Sequence, residues 1–380
     1  MRVLLFGTYD AAAHPRIAIL GEGLRASGAE VAECNAPLGL GTAARVAMLA
    51  QPWRVPALLA RMAQRWLTLA RTARHMRRPD VVLVGYLGHF DVHLARLLFR
   101  SVPIVLDHLV SASGTGRDRR LDGGPRRALL RMIDAAALAA AAVVLVDTEE
   151  HRAALPGRYR SRAVVVPVGA PAGWFAAADA AGRAGLDSAG RADGHGPLRV
   201  VFYGLYTPLQ GTPVIGAALN LITGAPIEVT MIGGGQDAAA ARAAAAANAA
   251  VRWVDWVPAA QLPALVAAHD VCLGIFGTGD KALRVVPNKV FQGAAAGCAI
   301  ITSDTAPQRR ALGPAAVLVP PGDPRALADA LLRLAADRAQ LASLRGQAAQ
   351  RAAERFAPGQ VAAPLLHRLR AAAHPMRSLA

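Results

Sequence analysis

The sequence predicts two consecutive α/β domains, each built on a parallel sheet. Three observations carry this reading. Short apolar runs recur along the chain, each followed by a stretch with helical spacing. The runs are near-continuous in Val, Ile and Leu rather than alternating, as strands covered on both faces read. A break rich in Ala, Gly and Asp over 171–198 separates two copies of the pattern. A length of 380 residues suits two or three domains.

The first run is Val3-Leu4-Leu5-Phe6, followed by helical spacing from Ile17 to Ser27 and a stop at Gly28. Val81–Val84, Ile104–Leu106, Val143–Val146 and Ala163–Val166 continue the series. The break holds little bulky apolar material and reads as a linker over 173–197. The pattern restarts at Arg199–Tyr203 before Gly204, then Ile227–Ile232 before three glycines. Val271–Phe276, Ala299–Thr302 and Ala316–Val319 follow. The expected organisation is a first domain over 1–172, a second over 198–356, and a terminal segment over 357–380 whose helix returns to the first domain. The tract from Ala238 to Ala250 reads as one surface helix, because Ala is the best helix former. In such sheets ligands sit at the carboxyl ends of strands, here expected to face a cleft between the domains.

The chain is 54% hydrophobic and 18% charged, which excludes a mostly disordered protein. Cys34, Cys272 and Cys298 lie too far apart for a disulfide framework or a zinc spacing, so a reducing compartment is expected. The longest apolar run, Ala135 to Val146, is too short to span a bilayer. The apolar start ends too early, at Gly7-Thr8-Tyr9-Asp10, for a signal peptide. A cytoplasmic protein is expected, peripheral on the inner face of a membrane at most. The formal net charge of +16 suits an anionic partner. It comes from 40 arginines and only two lysines, a ratio that also reflects codon bias.

Both lysines fall within nine residues of one another, in Gly277-Thr278-Gly279-Asp280-Lys281-Ala282-Leu283-Arg284-Val285-Val286-Pro287-Asn288-Lys289-Val290-Phe291-Gln292. A Gly loop follows a strand here, and Pro287 sits where a helix starts at its first position. Backbone N–H groups and a helix N-terminus suit an anion, and Lys281, Arg284 and Lys289 add charge. Two lysines kept so close together argue for a positioned ammonium, which a planar guanidinium cannot imitate. A solvated basic loop is the alternative.

From this segment on, the layout resembles glycosyltransferase family 4. Phe291-Gln292-Gly293-Ala294-Ala295-Ala296-Gly297-Cys298-Ala299-Ile300-Ile301 is similar to the second half of that family's Glu-x7-Glu element. Arg284 stands at the first Glu and Gln292 at the second, and the Pro287-Asn288-Lys289 triplet resembles a branch lacking the first Glu. Phe202-Tyr203-Gly204-Leu205-Tyr206-Thr207-Pro208-Leu209-Gln210-Gly211 resembles the family's first diphosphate loop, with Leu205 and Gln210 where cations usually stand. The resemblance implies a GT-B fold of two facing Rossmann-like domains. It implies transfer of a sugar, of hexosyl type, from a nucleotide diphosphate donor to an acceptor hydroxyl. Retention at the anomeric carbon, no metal and no cofactor beyond the donor co-substrate are implied as well. It assigns Gly204, Gln210, Gly211, Lys281, Arg284, Asn288, Lys289 and Gln292 to the donor. Asp107, His108 and His89, at strand ends of the first domain, are candidate catalytic residues. Gly7, Arg16, Asp118 and Arg119 are candidate acceptor or phosphate contacts. No metal-ligand spacing, paired carboxylates or P-loop competes.

Between Glu33 and Asp80 the chain has no acidic residue, but carries eight arginines among Trp53, Leu58, Leu59, Met62, Trp66, Leu67 and Leu69. Such a stretch, 45–78, suits an anionic membrane surface, or else an amphipathic helix with solvated arginines. A membrane partner implies a lipid-linked acceptor; a small glycosylated metabolite is the other candidate. No nucleic-acid signature is present. Two rival readings stand beside transfer. One is a catalytically silent homologue acting as a binding or scaffold subunit, and the other is a sugar-nucleotide epimerase.

Overall fold

A computed structural model describes residues 1–11, 15–39, 55–109, 111–112, 124–187 and 196–377 of the chain. The chain divides into two compact units, Met1–Pro167 with Val361–Ala380, and Val168–Gln360.

The first unit has six parallel strands: β1 (Arg2–Gly7), β2 (Glu30–Asn35), β3 (Val81–Val84), β4 (Ile104–Asp107), β5 (Val143–Val146) and β6 (Ala163–Val165). Their order in the sheet is β2-β1-β3-β4-β5-β6. The helices between them are α1 (Arg16–Ala26), α2 (Val55–Arg74), α3 (Asp91–Leu98), α4 (Gly124–Ala140), α5 (Glu149–Ala154) and α6 (Gly157–Arg160). Strand residues alternate between two cores. Leu4, Phe6, Val82, Val84, Leu106 and Val144 pack under Leu69 of α2, Val92 and Ala95 of α3, and Ala137 and Leu138 of α4. Val3, Leu5, Val81, Leu83, Val105 and Leu145 pack under Ile17, Leu20 and Leu24 of α1 on the other face. The period of two explains why these strands are apolar throughout: each face needs its own core.

The second unit repeats the plan with β7 (Leu198–Tyr203), β8 (Ile227–Ile232), β9 (Val251–Val254), β10 (Val271–Leu273), β11 (Ala299–Ser303) and β12 (Val317–Val319), in the order β12-β11-β10-β7-β8-β9. Its helices are α7 (Ala172–Asp187), α8 (Thr212–Leu221), α9 (Ala238–Ala244), α10 (Leu262–Ala267), a 3-10 turn (Ala282–Arg284), α11 (Asn288–Ala295), α12 (Ala306–Leu312), α13 (Pro324–Ala336) and α14 (Arg338–Arg355). The terminal helix α15 (Pro358–Arg377) sends Val361, Leu365 and Leu369 into the first unit's core beside β1.

Several local expectations change. Residues 172–187, read as the start of a linker, form α7, because alanine favours helix even where bulky residues are few. Trp174 anchors it, 5% exposed. The alanine tract is helical only as far as Ala244. Asn248 then turns the chain into β9, donating its Nδ2 to the Leu219 carbonyl at 2.6 Å. Pro287 caps α11 in an extended conformation, so the helix begins one residue later than the first-position proline suggests.

Each sheet reverses its winding once, between β1 and β3 in the first unit and between β7 and β10 in the second. At such a reversal the flanking loops part and leave a crevice at the carboxyl ends of the strands. Gly7 and Gly85 lie at the first reversal, Gly204 and Gly274 at the second.

Candidate functional site

In the second unit, β7 runs out at Gly204, whose φ of +136° favours glycine. A Cβ there would stand 3.3 Å from Lys289 Nζ. Lys289 lies in the first turn of α11 and is 5% exposed. Its Nζ donates to Gln210 Oε1 at 2.5 Å and sits 3.6 Å above the centre of the Phe202 ring. Both partners are neutral, and no ion pair joins Lys289 to another of the described residues. Burial pulls its pKa down to about 7. An ammonium taken out of water against neutral partners is poorly compensated, and an anion brought beside it restores the balance.

The loops that hold this ammonium are fixed by backbone packing. Gly211 has φ +65°, and a Cβ on it would meet the Gly277 nitrogen at 2.5 Å. Phe276 N donates to the Gln210 carbonyl at 3.0 Å, so the loop after β10 sets the position of Gln210. Gly211→Ala is expected to destabilise the fold by about 1–3 kcal/mol and to loosen Gln210. Chemical denaturation compared with nucleotide affinity checks it: the affinity loss should exceed any caused by an equally destabilising change remote from the site.

One helical turn on from Lys289, Gln292 accepts from the Tyr203 hydroxyl at 2.9 Å through Oε1. Tyr203 stacks on Trp174, with ring centroids 5.7 Å apart and planes 19° from parallel. Burial holds the Tyr203 phenol well above its ordinary pKa, so it stays a neutral donor. The structure therefore brings Gly204, Gln210 and Lys289 together, with Gly211 in the supporting loop and Gln292 one turn along α11. Asn288 is exposed at the start of α11. Arg284 is exposed too, with Nη2 3.5 Å from Asp280 Oδ2, while Lys281 is half-buried.

In the first unit, Arg16 opens α1 and is 2% exposed. Its Nε donates to Asp107 Oδ1 at 2.8 Å and its Nη1 to the Pro167 carbonyl at 2.9 Å. Among the described residues, Nη2 of Arg16 and Oδ2 of Asp107 have no hydrogen-bond partner. Burial raises the Asp107 pKa, and the adjacent guanidinium opposes that. Next along the chain, His108 packs edge-on against His89, with ring centroids 5.3 Å apart and planes at 64°. Burial first, then His89, lowers the His108 pKa to about 4, so its imidazole is neutral at physiological pH. His89 Nε2 lies 3.1 Å from Asp134 Oδ1, off the line of a hydrogen bond, and that oxygen accepts from Ala112 N at 2.8 Å. One ligand atom each of His89, His108 and Asp134 lies within 4.8 Å of the others, the one such trio among the described residues. Sequence spacing showed no metal set; the fold gathers this one from three separate segments.

Gly7 has φ +146°, and the next residue, Thr8, is held by Asp91, whose Oδ2 accepts from Thr8 N at 2.7 Å and Thr8 Oγ1 at 2.8 Å. The other Asp91 oxygen accepts from Trp66 Nε1 at 2.8 Å. Asp118 and Arg119 lie outside the described residues. Sequence reasoning missed Asp91, Asp134, Tyr203 and the Phe202 ring beneath Lys289. Their roles come from contacts across 20 to 90 residues of chain, which no local spacing announces.

Residues 197–337 match the family model described as Glycosyl transferases group 1. The matched stretch lies within the second unit. No curated protein matches the chain. Among solved structures, sucrose-phosphate synthase from Thermosynechococcus elongatus is similar at 19% identity and a TM-score of 0.68, covering 98% of this chain and 99% of that one. HepE from Anabaena, in complex with UDP-glucose, is similar at 14% identity and a TM-score of 0.64, covering 98% and 100%. The UDP-forming α,α-trehalose-phosphate synthase from Burkholderia vietnamiensis is similar at 15% identity and a TM-score of 0.64, covering 97% and 99%. The fold is that of GT-B glycosyltransferases.

Proposed function

We propose that this chain is a glycosyltransferase that moves a sugar from a nucleoside diphosphate donor to an acceptor hydroxyl, with retention at the anomeric carbon. The observation that carries the reading is the buried ammonium of Lys289, placed without a counter-charge at the winding reversal of a sheet that matches a glycosyl transferase family. Gly204 leaves the space beside it, Gln210 aims it and α11 adds the positive end of its dipole. Together they favour the charge that builds on a departing diphosphate, a contribution that grows as the glycosidic bond breaks. Gln292, held by Tyr203, is assigned to a donor hydroxyl through its free amide nitrogen.

In the first unit, the neutral His108 and the Arg16–Asp107 pair are assigned to the acceptor. A neutral imidazole whose Nδ1 has no partner among the described residues can accept a hydroxyl proton or donate to a sugar oxygen, and burial, with His89 beside it, keeps it from charging. The leaving group is assigned to Lys289 rather than to a divalent cation.

A donor panel with mass detection of the released nucleotide, after calorimetry with UDP, GDP and dTDP, tests the reading. One nucleoside diphosphate should bind and its sugar conjugate should turn over, with an unchanged anomeric configuration by NMR. Treatment with EDTA should leave turnover unchanged; a loss restored by added metal would move the chemistry to the His89–His108–Asp134 trio. Absence of binding to every nucleoside diphosphate would end the proposal.

A further inference from the structure

Helices α2, α3 and α4 lie side by side on one face of the first unit's sheet, since all three bury residues in the same core cluster. Their outer surfaces therefore form one layer. That layer exposes large apolar side chains that no other described residue of the unit covers: Leu59 (51% exposed) and Leu67 (58%) on α2, Leu97 (59%) on α3, and Leu129 (49%) and Met132 (63%) on α4. Among the described residues these are five of the twelve large hydrophobics that stay exposed. Scattered single apolar side chains are ordinary on a protein surface, but five on three adjacent helices are not.

Charge separates the possible occupants. Exposed arginines stand among the apolar groups, including Arg61, Arg71 and Arg74 on α2, Arg96 on α3, and Arg127 and Arg131 on α4. The acidic residues of the three helices are Asp91 and Asp134, and both are buried. A second copy of the chain would set arginines against arginines. A nucleic acid would match the charge and leave the leucines uncovered. An anionic bilayer matches both, because arginine reaches the headgroup phosphates while leucine and methionine enter the acyl boundary. Trp66, the tryptophan of α2, does not take part as an anchor, since its indole is turned inward onto Asp91.

We infer that the outer layer of α2, α3 and α4 is a docking surface for an anionic lipid bilayer. No helix among the described residues is long and apolar enough to cross a membrane, so the contact lies in the interface plane.

Co-sedimentation of the full chain with vesicles of phosphatidylcholine alone, and with one-third phosphatidylglycerol, tests this independently of any donor or turnover. The chain should pellet with the anionic vesicles, far less with the neutral ones, and less again as salt rises. Leu67→Glu combined with Met132→Glu should lose binding by at least about tenfold, with an unchanged circular dichroism spectrum. Arg71→Gln with Arg127→Gln should weaken it about fivefold for each arginine removed. The proposal is overturned by failure to pellet with anionic vesicles, or by full binding in the Leu67→Glu/Met132→Glu variant. It is equally overturned if sedimentation velocity shows that this variant only converts a dimer to a monomer.

Discussion

Replacing Lys289 by Met should weaken nucleoside diphosphate binding by about 1.5–3 kcal/mol, the worth of a hydrogen bond from a charged group. The same change should stabilise the ligand-free protein, by about 1–4 kcal/mol at pH 6, because it exchanges a buried cation lacking a counter-charge for an apolar chain of similar length. The opposite signs distinguish a binding residue from a structural one. A structural lysine would lose stability on replacement. The pH dependence sharpens the test. The lysine pKa falls from its ordinary value to about 7 in the fold. Below pH 7 folded and unfolded chains both carry the proton, and the burial penalty is fully present. Above it the folded chain releases the proton first, so stability should rise with pH from 7 upward, a slope that Lys289→Met lacks. Binding runs the other way. At pH 8 the free site is mostly neutral, and an incoming diphosphate should draw in about one proton. Calorimetry in two buffers of different ionisation enthalpy measures that uptake. No proton uptake, together with wild-type affinity in the Met variant, removes Lys289 from the site.

Arg16→Met should cost about 3–5 kcal/mol of stability, the largest loss expected of any single change in the first unit. Both members of the Arg16–Asp107 pair are sealed from water, with side-chain exposures of 2% and 0%. Removing the guanidinium leaves Asp107 buried and charged, and takes one donor from the Pro167 carbonyl. The carboxyl then escapes only by taking up a proton. With its folded pKa above the unfolded value, the variant should regain stability as pH falls and lose it as pH rises, opposite to an ordinary salt-bridged aspartate. Asp107→Asn in the Arg16→Met background removes that charge and should recover part of the loss. Urea titrations of the four proteins complete the cycle; simple additivity of the two changes would show that the pair does not act as a unit.

Much of the fold was legible in the chain. Runs such as Val81–Val84 and Val143–Val146 are apolar at every position, and a strand with that composition needs cover on both faces, which only a parallel sheet between helix layers supplies. Of the candidate site, the segment around Lys289 stood out in the chain because both lysines of an arginine-rich sequence fall within it. The loop glycines were legible as loop glycines and nothing more. That Gly211 is needed because the Gly277 backbone passes 2.5 Å from where a Cβ would stand is a fact of packing between distant loops.

The chain by itself determined the number of sheets, their parallel sense, the loops at their carboxyl ends and the segment holding the cation, because each of these follows from period, composition or spacing over a few residues. Only the tertiary structure decided which of these cations is buried and which meets water. Lys289, Arg284 and Lys281 look alike in sequence, yet one is buried over an aromatic ring while Arg284 pairs with Asp280 at the surface. The same holds for Trp66, which turns inward, and for Leu67 beside it, which does not. Burial is a property of what else has packed nearby, and for these side chains the neighbours come from distant parts of the chain.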